Sequence, residues 1–160
     1  MSIDVVVEIP KGSRNKYEFD EKTGDIRLDR VLKSAVHYPG DYAEIPETLG
    51  DDGDPLDALV INRYPTFPGC VVPIRVLGVL EMIDNGDNDE KLIGVPEGDS
   101  DFDEWKSLDD VPTSLKKEIL EFFSTMNNLQ EGKEVEVKGL KGVKDAEKIL
   151  KRAKDKYEAK

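Results

Sequence analysis

Asp52-Gly53-Asp54-Pro55-Leu56-Asp57 puts three carboxylates within six residues. Gly53 and Pro55 fix a turn, and the apolar run Leu56–Asn62 that it enters reads as a strand. Asp52 and Asp54 are two apart, so an extended backbone presents both on one face. Asp57 falls on the other parity unless the turn swings it back. Oxygen donors at this density suit a hard cation, Mg²⁺ or Mn²⁺. An acid-rich surface turn is the competing reading that these six residues leave open.

Outward from the turn, residues 1–96 read mostly as strands. Ile3, Val5, Val7 and Ile9 alternate with Asp4, Val6 and Glu8. Tyr17 and Phe19 flank Glu18, and the turn Asp20–Asp25 joins them to Ile26–Leu32 as a hairpin. Val71–Met82 and Lys91–Val95 are further strands, the second closed by Pro96, and Val135 with Val137 suggests one more. Two segments have helical spacing. Leu115, Ile119, Phe122, Met126 and Leu129 form one apolar stripe, with Pro112 near its start. Ala146, Ile149, Leu150, Ala153 and Tyr157 form another on a helix from Asp145 to about Glu158. Many short strands and then two helices predict a mainly β fold with α, a small β-barrel with helices packed outside, with residues 1–160 as one domain.

The charge is unevenly placed. The chain has formal net charge -12, and 36% of its residues are charged against a usual share of about 25%. Residues 81–110 hold twelve acids against Lys91 and Lys106, and residues 41–60 hold seven acids with no Lys or Arg. Such a chain repels nucleic acid and anionic membrane surfaces, since both require cations facing phosphates. No apolar run approaches the ~20 residues of a membrane span. Cys70 has no second cysteine to pair with, and Met1–Glu8 has no basic leader pattern. A cytoplasmic protein is the expectation.

A second acidic cluster, Asp84-Asn-Gly-Asp87-Asn-Asp89-Glu90, is followed at once by Lys91. A cation site facing a phosphate needs both signs; Asn85-Gly86 by itself signals a hairpin turn. Arg30, Glu8 and Glu18 each interrupt strand-like alternation, which requires pairing, a wet cavity or a solvent-facing barrel mouth. Asp99-Ser-Asp101-Phe-Asp103 begins like a calcium loop, but Glu104 stands where glycine is needed and Asp110 where a bidentate Glu is needed. No nucleophile elbow or Walker loop is present, and His37 has no partner histidine.

Together these segments resemble the family I soluble inorganic pyrophosphatases, and nearly the whole chain takes part. Asp52–Asp57 resembles the family signature. Glu8-Ile-Pro-Lys-Gly-Ser-Arg-Asn-Lys16-Tyr-Glu18, Leu28-Asp-Arg30-Val-Leu, Tyr38-Pro-x-x-Tyr42 and Asp84 through Lys91 agree in order and spacing. The resemblance implies Mg²⁺-dependent hydrolysis of pyrophosphate to two phosphates, Mn²⁺ or another divalent ion being possible. It implies Asp52, Asp57 and Asp89 as ligands of an activating metal. Asp84 with Asp89 would hold a substrate-associated metal, and Glu8 and Glu18 lie near the far end. Asp54 would be the general base; Lys16, Arg30, Tyr38 and Lys91 would contact phosphate oxygens, and Tyr42 would line the pocket. The same resemblance implies a five-stranded, OB-like closed β-barrel flanked by two helices of the C-terminal half, and homohexamers.

One segment departs from the family. Its first long helix usually carries Tyr-Lys after Phe-Phe, both reaching a phosphate; here Met126 and Asn127 stand in their place. The expectation is a hydrolase of reduced activity. The alternatives are a weakened or inactive relative that binds metal-phosphate or metal-diphosphate ligands, and an interaction protein whose acids are surface only.

Overall fold

The computed structural model describes residues 1–160. The alternating N-terminal run forms β1 (Ser2–Ile9), followed by β2 (Asn15–Phe19), β3 (Ile26–Val31), β4 (Asp41–Glu44), β5 (Asp57–Val60), β6 (Val71–Asp84), β7 (Asp87–Asn88) and β8 (Lys91–Pro96). Helix α1 (Thr113–Thr125), strand β9 (Val135–Lys141) and helix α2 (Val143–Glu158) complete the chain. Strands β1, β4, β5, β8 and β6 pair in that order and β6 returns to β1, so five strands close a ring. All ring pairs are antiparallel except β5 with β8. Closure is possible because β6 is 14 residues long. Its first part pairs with β1, its middle with β8, and its far end with β9. A bulge between Val76 and Gly78 bends it on the way. At Gly78 an added Cβ would lie 2.5 Å from the Lys141 carbonyl oxygen, so only glycine admits this approach.

The expected barrel with two helices is therefore present, and so is the β2–β3 hairpin, which forms a separate two-stranded sheet. At the β6–β7 turn Asn85 and Gly86 have φ of 49° and 88°, as the Asn-Gly signal requires. Three details differ from the sequence reading. Strand β4 has no alternation because Asp41, Tyr42 and Ala43 are all buried, leaving no solvent face to reveal a period. Helix α1 stops at Thr125, beyond which a tighter turn from Thr125 to Asn128 carries Leu129 outward, 63% exposed. Tyr157 on α2 is likewise exposed rather than part of the buried row.

The two helices cover different groups of core side chains. Val5, Val7, Ala43, Ala58, Val60 and Leu92 pack with Ala146, Ile149, Leu150 and Ala153 of α2. Residues of opposite parity, among them Leu59, Ile93 and Leu80, pack with Ile119, Phe122 and Phe123 of α1. Ile149 and Leu150 are buried, and full burial of such a side chain contributes about 1.5–3 kcal/mol. Helix α2 is thus anchored while its charged face stays free for other contacts. No helix is long and apolar enough to cross a membrane.

Candidate active site

Asp57 opens β5 on the parity of Leu59, the side that α1 covers. In register it lies beside Glu44 of β4 and Lys91 of β8. Lys91 shares the parity of Ile93, so both side chains rise at the same end of the barrel. The preceding turn supplies the other two acids of the signature. Gly53 has φ of 89°, the Asp54 N–H donates to Asp52 Oδ1 at 3.0 Å, and the Gly50 N–H donates to the Asp54 carbonyl at 2.7 Å. This turn, rather than strand parity, gathers Asp52, Asp54 and Asp57.

Lys91 is 4% exposed. Its Nζ donates to Asp57 Oδ2 at 3.1 Å and to Asp89 Oδ1 at 2.9 Å. The ammonium also lies 5.2 Å from the Tyr42 ring centroid and 5.7 Å from that of Phe123. The Tyr42 hydroxyl donates to Asp57 Oδ2 at 2.5 Å. Burial pulls the Lys91 ammonium down, but Asp57 and Asp89 outweigh it and hold the group above its usual range. Asp57 is raised, first by burial and then by the Asp89 charge, against the opposing pull of Lys91 and Tyr42. Asp52 is pushed up to about 6 by partial burial and by Asp89, Asp54 and Asp57. These carboxylates repel one another, and Lys91 is the counter-charge between two of them.

Glu8 reaches the same neighbourhood from β1. Its Oε2 accepts the Phe19 N–H at 3.0 Å, and its carboxyl is raised to about 7 by burial, with Asp57 and Glu44 adding to the shift. Tyr38 is 2% exposed, and its buried hydroxyl has no hydrogen-bond partner although Arg30, Asp57 and Glu8 act on it. Arg30 donates to Asp29 Oδ2 at 2.8 Å and to Asn127 Oδ1 at 2.9 Å. Lys16 pairs with Glu18 at 3.0 Å and with Asp29 at 3.6 Å. Asp84 lies at the end of β6, where Lys133 holds its carboxylate at 2.9 Å. The structure therefore joins Asp52, Asp54, Asp57, Asp89, Lys91 and Tyr42, links Glu8, Tyr38 and Arg30 to them, and holds Asp84 and the Lys16–Glu18 pair in separate ion pairs.

As placed, no three acidic side chains chelate a single point. The donor set is oxygen-only and self-repelling, and beside it stands the unpartnered Tyr38 hydroxyl. Hard divalent cations together with an anionic ligand fit such a set. The calcium-like loop does not share this character, because Arg63 occupies Asp99 and Asp101. Sequence reasoning missed Glu44, which lies on the unrecognised β4, and Lys133, which has no local motif. Asp29 was visible beside Arg30, but its pairing with Lys16 depends on the hairpin register.

The Glu8 shift predicts a pH effect in metal-free protein. A carboxyl of ordinary pKa 4.5 unfolded and about 7 folded destabilises the fold as pH rises between those values, and the penalty is complete above the folded pKa. Glu8→Gln, whose amide oxygen can still accept the Phe19 N–H, stabilises the protein at pH 8 by on the order of 1–3 kcal/mol. At pH 4 the gain vanishes. Urea denaturation in EDTA at both pH values measures it, and an equal effect at both would contradict the stated origin.

A small closed barrel with crowded carboxylates, a buried lysine and phenols at one end defines a class: β-barrel proteins with an oxygen-donor cluster. The family model for inorganic pyrophosphatase matches residues 5–158. The inorganic pyrophosphatase of Geobacillus stearothermophilus is 49% identical over 148 residues, covering 92% of this chain and 89% of that one. That of Methanosarcina acetivorans is 49% identical over 153 residues, covering 96% and 90%. The crystal structure of inorganic pyrophosphatase from Thermus thermophilus superposes with a TM-score of 0.95 at 45% identity, covering 98% of this chain and 91% of that chain. The chain belongs to the inorganic pyrophosphatase family.

Proposed function

We propose that this chain hydrolyses pyrophosphate to two phosphates in a Mg²⁺-dependent reaction. The observation that carries the reading is the Asp57 carboxylate, bonded to Tyr42 and buried Lys91 within repulsive reach of Asp52 and Asp89. Asp52, Asp57, Asp84 and Asp89 would hold the cations, with Glu8 and Glu18 near the far end. Bound divalent cations would offset the charge of the polyanion and acidify an attacking water. Asp54 contributes only backbone groups to the hydrogen bonds of its turn. Its carboxylate is free to take the proton of that water. Lys91, Arg30, Lys16 and the Tyr38 hydroxyl would stabilise charge on the separating phosphates. Purified protein should release two phosphates per pyrophosphate with Mg²⁺ and none in EDTA. Binding without release would favour the inactive reading.

Reduced activity relative to the family pattern is part of the proposal. Met126 is buried in the apolar cluster under α1, and Asn127 offers an acceptor to Arg30 rather than a cation to phosphate. A missing charged donor costs about 2–4 kcal/mol of transition-state stabilisation. Met126→Tyr with Asn127→Lys should raise kcat/KM by roughly 30-fold or more on that scale; unchanged kinetic constants would sink this part. Exposed Phe19, Leu28, Val31, Phe67 and Val71 support assembly with further copies, a hexamer being the size that family resemblance implies. The unpaired Cys70 is consistent with a cytoplasmic location.

A further inference from the structure

The two acidic loops of the site repel each other, yet both are attached to one helix. The backbone Leu49 N–H donates to the Ala153 carbonyl of α2 at 3.0 Å, docking the chain just before the Asp51–Asp54 turn. Lys156 of α2 bonds Asp51 Oδ1. One turn earlier, Arg152 donates to Glu90 Oε1 at 2.7 Å and lies 3.6 Å from Asp51 Oδ2. Asn88 closes the arrangement, its Nδ2 donating to the same Asp51 oxygen at 3.0 Å. Asp51 precedes Asp52, and Glu90 stands between Asp89 and Lys91. Glu90 is 8% exposed and its second oxygen is buried without a partner, so Arg152 is its principal compensation. Helix α2 is itself fixed by Ala146, Ile149, Leu150 and Ala153 in the core.

We infer that Arg152 and Lys156 are positioning residues, clamping the Asp51–Asp54 turn and the Asn88–Lys91 segment at a fixed separation so that Asp52, Asp57 and Asp89 can engage the same cations. This role presupposes the Mg²⁺-dependent site proposed above. Neither residue is among the proposed cation or phosphate ligands; their ion pairs are with Asp51 and Glu90. Each acts through Asp51 or Glu90, as outer partners orient ligands in metal sites generally.

Charge alone and positioning predict opposite signs. Removing a positive charge beside an acidic basin strengthens cation binding if the charge acts only through space. Removing a clamp loosens the loops and weakens it. Calorimetric titration of Mg²⁺ into the full-length protein, without pyrophosphate, separates the two. Arg152→Met should weaken Mg²⁺ binding by about 10-fold. Arg152→Lys should recover part of that loss, and Lys156→Met should weaken binding in the same direction. Adding Glu90→Gln to Arg152→Met should cost less than the sum of the single changes, because both remove one contact. Stronger or unchanged Mg²⁺ binding in Arg152→Met and Lys156→Met, with circular dichroism unaltered, overturns the clamp. Should the variants unfold, Arg152→Lys, which keeps the charge and changes the geometry, decides alone: affinity below that of wild type supports the role, and affinity equal to or above wild type refutes it. Wild-type protein that binds no Mg²⁺ overturns the functional reading itself; wild type that binds and hydrolyses while the variants bind equally well overturns only the clamp.

Discussion

Asp54→Asn should lower the rate of phosphate release by about 10²–10⁴-fold, the contribution of a positioned general base, with little change in stability. The two halves of this expectation have separate causes. Asp54 supplies backbone groups to its turn: its N–H donates to Asp52 Oδ1, and its carbonyl accepts from Gly50. Asn preserves both and tolerates turn conformations. The side chain is exposed, so no buried partner is orphaned. What disappears is an anionic acceptor for the proton of an attacking water. Steady-state assay at saturating Mg²⁺ should show the loss in kcat, and thermal melting should show nearly coincident transitions. A variant retaining more than a tenth of wild-type kcat would move the base to another carboxylate.

Lys91→Met carries the other large effect, this time on folding. The ammonium is almost fully buried and offsets Asp57 and Asp89 together. Breaking a buried pair by removing one partner leaves an uncompensated charge and costs about 3–5 kcal/mol. The sign of the pH dependence follows from both partners. Lys91 has a raised folded pKa, so its contribution is present below its unfolded pKa and fades only as pH rises through the folded value. Asp57 is raised even with Lys91 present. Without the ammonium it is raised further, and its penalty grows as pH climbs above the ordinary carboxylate range. The variant should therefore be most destabilised at pH 8 and nearer to wild type at pH 4, in EDTA. Added Mg²⁺ should restore part of the loss at pH 8, since a ligand bound only by the folded state stabilises it. Equal destabilisation at both pH values would show that lost packing, not charge, is the cause.

The two variants also bear on how the site is made. Asp54 is legible in the sequence because its setting is local: a turn fixed by Gly53 and Pro55 in its own segment. Lys91 was recognisable as a cation beside acids, but its burial came from elsewhere. Parallel pairing of β5 with β8 places it opposite Asp57, and Phe123 of α1 and the Tyr42 ring cover it. Strand β4, which carries Tyr42 and Glu44, has no legible period because three successive residues, Asp41 to Ala43, are buried. Arg30 stands out in the sequence as a charge inside strand-like alternation, but its contact with Asn127 depends on the hairpin and the end of α1 coming together in space.

From the sequence alone came the mainly β architecture, the two helices, the acid-rich turn and the set of candidate residues for the proposed chemistry. These rest on periodicity, turn chemistry and motif spacing, which act over a few residues. Tertiary structure decided which acids share one electrostatic environment, that Lys91 is the buried charge between two of them, and that Arg152 and Lys156 pair with Asp51 and Glu90 of the two loops. Those properties depend on pairs such as Asp57 with Lys91, Arg152 with Glu90 and Lys156 with Asp51, separated by 34, 62 and 105 residues. Burial and Coulomb energy follow distance in space, and closure of the ring, with α2 seated on it, is what sets that distance.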